Sequence, residues 1–267
     1  PADKLIKKRI TTRVETREAF EVNGLKVPLR SPPFLIFLEL DSNKLSEQEI
    51  ERVKDYIDVP VIGFPSGVED FDLLRSAIRL VSEHFGVFGI DSDSPKVLNE
   101  AAKQGASFVL NLTRSNLEKL GVENQAAYVV APEDPGNIDE LRQTVNAARK
   151  KGFRNLVIDP IINPPPFGLV DSIVNYKTLT AEFRDAPFMM GVLNVTELID
   201  ADSVGLNALL TAIALELGVS ILMAREGKKT RWSSFELRRA AEMATISGGK
   251  RFIKDLGVDL LILKEKN

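Results

Sequence analysis

The chain has 267 residues, 44% hydrophobic and 27% charged, with a net charge of -3, one Trp, three Tyr and no Cys. This length buries a large core and suits a (β/α)8 barrel as one domain, so a division in two is unnecessary. The missing Cys excludes disulfides, thiolate catalysis and thiolate-held zinc or iron–sulfur sites, and the charge, without a dense basic patch, argues against nucleic acid.

The start, Pro1-Ala2-Asp3-Lys4, has no initiator Met and no apolar signal core, and reads as a processed or truncated beginning. Residues 1–33 read as an N-terminal extension. Within it, residues 19–29 alternate around Asn23-Gly24 as a β-hairpin placed to plug the bottom of a barrel. From residue 34 onward, short β-rich apolar runs alternate with helical stretches, the pattern of a parallel sheet covered by helices. Strands are expected at 34–40, 59–64, 87–90, 107–110, 127–130, 155–158, 188–195 and 219–223. Ser46…Glu49, Ser115…Glu118 and Ser233…Glu236 read as capping boxes, and Ser94-Pro95 sets proline at a first helical position. Gly105, Gly121, Gly152 and Gly218 stand where helices should stop.

Eight such units, with no Gly-rich dinucleotide fingerprint after the first strand, favour a closed (β/α)8 TIM barrel over residues 34–267; an open doubly wound sheet is the alternative. A ninth apolar run, 258–263, has no place in that count. No apolar run reaches the roughly 20 residues of a membrane helix. The richest, 206–217, is interrupted by Asn207, Thr211 and Glu216, so a soluble, cytoplasmic protein is expected.

Polar residues end four otherwise apolar strands: Asp91, Asn111, Asp159 and Asn194, with Glu39 in the first strand and Arg225 after the last as candidates to join them. Singly, an Asp or Asn there starts a turn or caps a helix. Four in register read as a ligand mouth, because in this fold strand C-termini deliver side chains to one face. Carboxylate and amide groups suit a flat heterocycle with adjacent amine and lactam N–H donors, and a pterin is such a ring.

The same residues carry a family resemblance. Ile90-Asp91-Ser92-Asp93-Ser94-Pro95, Ala101-Ala102-Lys103-Gln104-Gly105-Ala106-Ser107 and Phe108-Val109-Leu110-Asn111 resemble the third and fourth strands of dihydropteroate synthases, whose Asp and Asn line the pterin pocket. Val157-Ile158-Asp159-Pro160 is similar to the strand whose Asp clamps the pterin ring. Gly191-Val192-Leu193-Asn194-Val195-Thr196 resembles the Gly-x-x-Asn-Val-Ser segment of methyltetrahydrofolate:corrinoid methyltransferases, in which the Asn contacts the reactive side of the pterin. Nearest is the archaeal family of dihydropteroate synthase-related proteins, through Asn194-Val195-Thr196-Glu197-Leu198-Ile199-Asp200-Ala201-Asp202 and Lys254-Asp255-Leu256-Gly257-Val258-Asp259.

The resemblance covers about residues 34–250 and implies a reduced pterin as substrate or cofactor. Asp91 and Asn194 are then the catalytic candidates, and Asn111, Asp159, Arg225 and Lys228 the substrate-binding ones. The expected activity is that of a dihydropteroate synthase-like transferase of folate or methanopterin-type metabolism. Loss of pyrophosphate from the pterin would let an amine attack, with Arg225 or Lys228 stabilising the leaving group. The alternatives are methyl transfer from a methyltetrahydropterin, aided by Asn194 and needing a separate corrinoid protein, and pterin binding without catalysis. The chain departs from the synthase pattern after Asp159, where Ile161-Ile162-Asn163-Pro164-Pro165-Pro166 replaces a Gly-rich loop.

Arg225, Lys228, Lys229 and Arg231 cluster before Ser233, where barrels of this kind often hold phosphate. Set against a merely solvated basic loop, that position admits a phosphorylated co-substrate. No metal is expected, and the lone His84, in an amphipathic helix beside Phe85, is assigned to packing or the surface. A homodimer is carried as one option for the assembly, with no membrane partner.

Overall fold

The computed structural model describes residues 17–248, 252–254 and 256. The apolar run 258–263 and the chain start lie outside the described residues, and the 254–259 motif is described only at Lys254 and Leu256.

A period of two in side-chain direction builds the barrel wall. In β3 (Leu35–Asp41), Leu35 and Phe37 join one buried cluster, while Ile36, Leu38 and Leu40 join another beneath the helices. The same split runs through β4 (Val59–Gly63), β6 (Phe108–Leu112) and β10 (Ile221–Arg225). The inner cluster fills the barrel, with Phe37 and Phe108 meeting edge to face at 4.8 Å between ring centroids. The remaining wall strands are β5 (Gly89–Asp91), β7 (Ala127–Val130), β8 (Leu156–Ile158) and β9 (Met189–Gly191).

All eight are parallel in the order β8-β7-β6-β5-β4-β3-β10-β9. The ends meet at an isolated parallel bridge, Ile158 with Phe188, so the chain is a nearly closed (β/α)8 barrel and not an open doubly wound sheet.

Strands β1 (Glu18–Val22) and β2 (Leu25–Pro28) form the expected antiparallel hairpin. Asn23 and Gly24 take left-handed φ values of 46° and 81°, which a two-residue turn of this hand requires. Val22 and Val27 enter the inner cluster from below. The Asn23 amide donates to the Ser107 hydroxyl (2.8 Å) before β6, and Ser220, before β10, donates to the Pro28 carbonyl (2.7 Å). The hairpin thus closes the end opposite the strand C-termini.

The helices are α1 (Glu47–Val53), α2 (Phe71–Ser82), α3 (Pro95–Lys103), α4 (Ile138–Lys151), α5 (Leu169–Glu182), the single turn α6 (Leu193–Thr196), α7 (Ser203–Leu217) and α8 (Ser233–Ser247). Ser46 caps α1 by accepting from the Glu49 N–H, Pro95 opens α3, and Gly152 and Gly218 end α4 and α7 in the left-handed region.

Two expected capping boxes are absent. After Thr113 the chain makes turns instead of a helix, because the Asn116 side-chain oxygen Oδ1 accepts from the Thr113 N–H (2.9 Å) and the Ser115 N–H donates to Glu133 (2.7 Å). Gly121 therefore ends no helix; its N–H donates to Asn99. At α8 the cap position is Trp232, with Ser233 already helical, and Glu236 is drawn to Asn207 and Ser203 of α7. Among the described residues no helix is long and apolar enough to cross a membrane.

Candidate functional site

The inward columns of the wall end in polar groups at the strand C-termini. Leu35 and Phe37 lead to Glu39, Gly89 to Asp91, Val157 to Asp159, and Ile221 and Met223 to Arg225. Arg225 stands beside Glu39 in the β10–β3 register, and their side chains form an ion pair at 3.7 Å. Gly63, at the end of β4, makes room for that pair: a Cβ there would lie 2.7 Å from Glu39 Oε1.

Asn111 joins them by breaking the alternation. Its β6 register shifts against β7 between Leu110 and Leu112, which leaves Asn111 as the unpaired residue of a bulge. Its amide Nδ2 then donates to Asp91 Oδ1 at 3.3 Å, and its own carbonyl accepts from Asn116 Nδ2 at 2.8 Å. A cleft of about 460 Å³ opens here, lined by Asp91, Asn111, Asn116, Ala131 and Ile161 among others. That size lies within the usual range for small-ligand sites.

Asp159 is 8% exposed. Its Oδ1 accepts from the Ile161 N–H (2.8 Å) and lies 2.7 Å from the Tyr176 hydroxyl, which is also 2.9 Å from the Met189 carbonyl of β9. Its second oxygen has no protein partner among the described residues.

The mouth is a place of raised carboxyl pKa values. Burial, then the charges of Glu39, Asp159 and Asp93, push Asp91 up to about 7 against the pull of Arg225. Burial lifts Asp159 to about 6, with the Tyr176 and Ile161 donors acting the other way. Glu39 is raised chiefly by burial, and Arg225 opposes the shift. Such shifts suit groups that exchange a proton near neutral pH.

The structure brings Asp91, Asn111, Asp159, Glu39 and Arg225 to one mouth. Asn194 arrives differently from the expectation of a strand running to residue 195: β9 stops at Gly191, because Val192 turns into right-handed helical backbone and α6 begins. The Asn194 amide folds back over Gly191, where a Cβ would lie 3.3 Å from its Nδ2. Lys228 is exposed in the loop after β10, and Lys229 there pairs with Asp200. His84 sits between Glu47 (Nε2, 2.9 Å) and Glu51 (Nδ1, 3.5 Å), and with Glu47 and Glu83 it forms a group close enough to share a cation.

Three residues of consequence had no distinct sequence signal. Tyr176 looks like a core aromatic, Asn116 like a turn residue, and Glu226 like a stray acid in a basic loop.

No protein-family model matches the chain. An uncharacterized protein of Methanocaldococcus jannaschii is 28% identical over an alignment of 263 residues that covers 91% of this chain and 50% of the relative, so the chain spans half the length of the curated relative it matches. The dihydropteroate synthase of Thermus thermophilus superimposes with a TM-score of 0.62 at 18% identity, covering 82% of this chain and 96% of that one. Yersinia pestis DHPS with a pterine-sulfa conjugate gives 0.62 at 16% identity, covering 86% and 98%. The Thermus enzyme in complex with 6HMPPP gives 0.61 at 18% identity, again covering 86% and 98%. At these identities the likeness is one of fold: the chain is a (β/α)8 barrel similar in fold to dihydropteroate synthases, and it is related in sequence to an uncharacterized archaeal protein.

Proposed function

We propose that this barrel binds a reduced pterin at the mouth formed by Asp91, Asn111 and Asp159, and works as a pterin-dependent transferase of folate or methanopterin-type metabolism, by a dihydropteroate synthase-like or a methyl-transfer route. The observation that carries this is the meeting of two carboxylates and an amide, from three different strands, at one mouth: Asp91 and Asn111 line a cleft of about 460 Å³, and Asp159 adjoins it through Ile161, near enough for its charge to raise the Asp91 pKa. Asp159 acts as the clamp. One of its oxygens is anchored by protein donors, so the ring's amine and lactam N–H groups are met chiefly by the other. Asn111 orients the ring, and Asp91, close to neutrality in its proton affinity, exchanges a proton with the reactive edge.

Methyl transfer is the second reading, favoured by Asn194 lying over the end of β9 beside Gly191. There the amide can hydrogen-bond the pterin nitrogen that loses the methyl group, and the acceptor would be a separate corrinoid protein.

Calorimetric titration with a reduced pterin tests the site. Saturable binding is expected, weakened about 10- to 100-fold in Asp159→Asn, the effect of one charge-assisted hydrogen bond. The clamp accepts only when ionised. Affinity is therefore full above the Asp159 pKa of about 6 and declines as pH falls through it. Failure of the intact protein to bind any reduced pterin would end the proposal.

A further inference from the structure

The corner after the last barrel strand is where this fold most often takes a phosphate, on helix N–H groups and nearby cations. In this chain a protein carboxylate already fills it. The loop from Arg225 to Ser234 folds around Thr230, which is 2% exposed; its hydroxyl accepts from the Gly227 N–H (2.9 Å) and donates to the Arg225 carbonyl (3.1 Å). That fold carries Glu226 onto the first turn of α8. Glu226 Oε1 accepts from the Ser234 N–H at 3.1 Å and from the Ser234 hydroxyl, while the Ser233 N–H donates to the Thr230 carbonyl at 3.0 Å. Oε2 pairs with Arg52 of α1, whose guanidinium also donates to the Arg231 carbonyl (3.1 Å). The Glu226 side chain is only 4% exposed, so these bonds are made out of reach of water.

Two other cations of the region are drawn to protein acids, Arg225 to Glu39 and Lys229 to Asp200, while the exposed Arg231 lies by the Trp232 ring. Lys228 stays out on the surface of the loop. The mouth itself presents Glu39, Asp91 and Asp159. A multiply charged pyrophosphate would have to displace Glu226 from its partners while facing these acids, and like-charge juxtaposition is costly.

We propose, resting on the pterin reading, that Glu226 acts as a specificity-determining residue: by filling the anion corner it restricts the ligand to a reduced pterin that carries no phosphate or pyrophosphate group. The substituent at the reactive position is then uncharged, of the methyl kind, and the second of the two transfer routes gains at the expense of the first.

Inorganic pyrophosphate is the probe, titrated calorimetrically into the wild-type protein and into Glu226→Gln, an isostere that removes the charge. The wild type is expected to show no saturable binding tighter than about 1 mM. Glu226→Gln, verified as folded by circular dichroism, is expected to bind pyrophosphate at least roughly tenfold more tightly, because Arg52 and the Ser234 N–H lose their resident anion. Should Glu226→Gln not fold, the wild-type comparison of a reduced 6-hydroxymethylpterin with its pyrophosphate ester decides alone, the free alcohol binding the tighter. Wild-type pyrophosphate binding below about 1 mM, no gain in the folded variant, or tighter binding of the ester each overturns the proposal. The pyrophosphate titrations are independent of the ring, so a protein that binds no pterin fails the functional reading without deciding this one.

Discussion

Asp91 is an acid whose surroundings oppose its charge. Its ordinary value near 3.8 rises to about 7 in the fold, so between those limits the native state holds a proton that the unfolded chain has released. Stability from this group is complete below about pH 4 and is lost as pH rises through about 7. Asp91→Asn removes the loss. The variant should gain roughly 1–3 kcal/mol over the wild type at about pH 8 and nothing at about pH 4, read as a higher Tm at the first pH only. Equal Tm differences at the two values would mean that Asp91 does not hold its proton in the native state. The place of Asp91 and Asp159 was legible in the sequence, since each follows an apolar run and an alternating strand must aim it inward. Asn111 was legible only as a strand end. Its reach to Asp91 comes from a bulge in β6 that apolar periodicity does not register. Tyr176 and Glu226 were not legible at all, because their partners Asp159, Met189 and Arg52 lie on other elements and are met only in the fold.

Elements show the same division between local and distant causes. The Ser46 box and the Gly152 and Gly218 stops are written within a few residues and appear as expected. The boxes at Ser115 and Ser233 lose to partners further off, Glu133 in one case and Asn207 in the other. Arg30, just past the hairpin, has a wholly tertiary role: its guanidinium donates to the carbonyls of Leu29 and Ala186 (2.6 Å each), Phe183 (2.9 Å) and Thr180 (3.2 Å). It thus satisfies the end of α5 and ties the bottom hairpin to the approach of β9. A lysine keeps the charge but has no planar fork to span four carbonyls. Arg30→Lys is expected to cost about 2–4 kcal/mol in urea unfolding, with no change in ligand affinity at the far end of the barrel. A cost under about 0.5 kcal/mol would show that the four bonds are replaced by water at little loss.

The barrel as a whole is closed unevenly, and Asp159 of the candidate site lies at its weakest joint. β3 pairs with β4 and with β10 through five residue pairs each, whereas β8 meets the chain entering β9 only in the bridge of Ile158 with Phe188, supported by the Ile158 N–H on the Pro187 carbonyl at 3.0 Å. Tyr176 crosses this seam from α5, its hydroxyl reaching both Asp159 after β8 and Met189 in β9. Local opening begins where few bonds hold the backbone, so the amides of β8 and β9 should exchange with solvent faster than those of β3 and β4. Tyr176→Phe removes the stitch and one donor to Asp159. Exchange at the seam should then quicken by roughly tenfold, the worth of one buried hydrogen bond, while β3 and β4 keep their wild-type rates. Because the phenol holds the Asp159 pKa down, its loss also moves the acid limb of ligand binding to higher pH. Hydrogen exchange read by mass spectrometry, with and without the reduced pterin, tests both halves: added ligand should restore protection at the seam first. Uniform acceleration in every strand would instead make Tyr176 a support of the global fold and leave the coupling between clamp and closure without a basis.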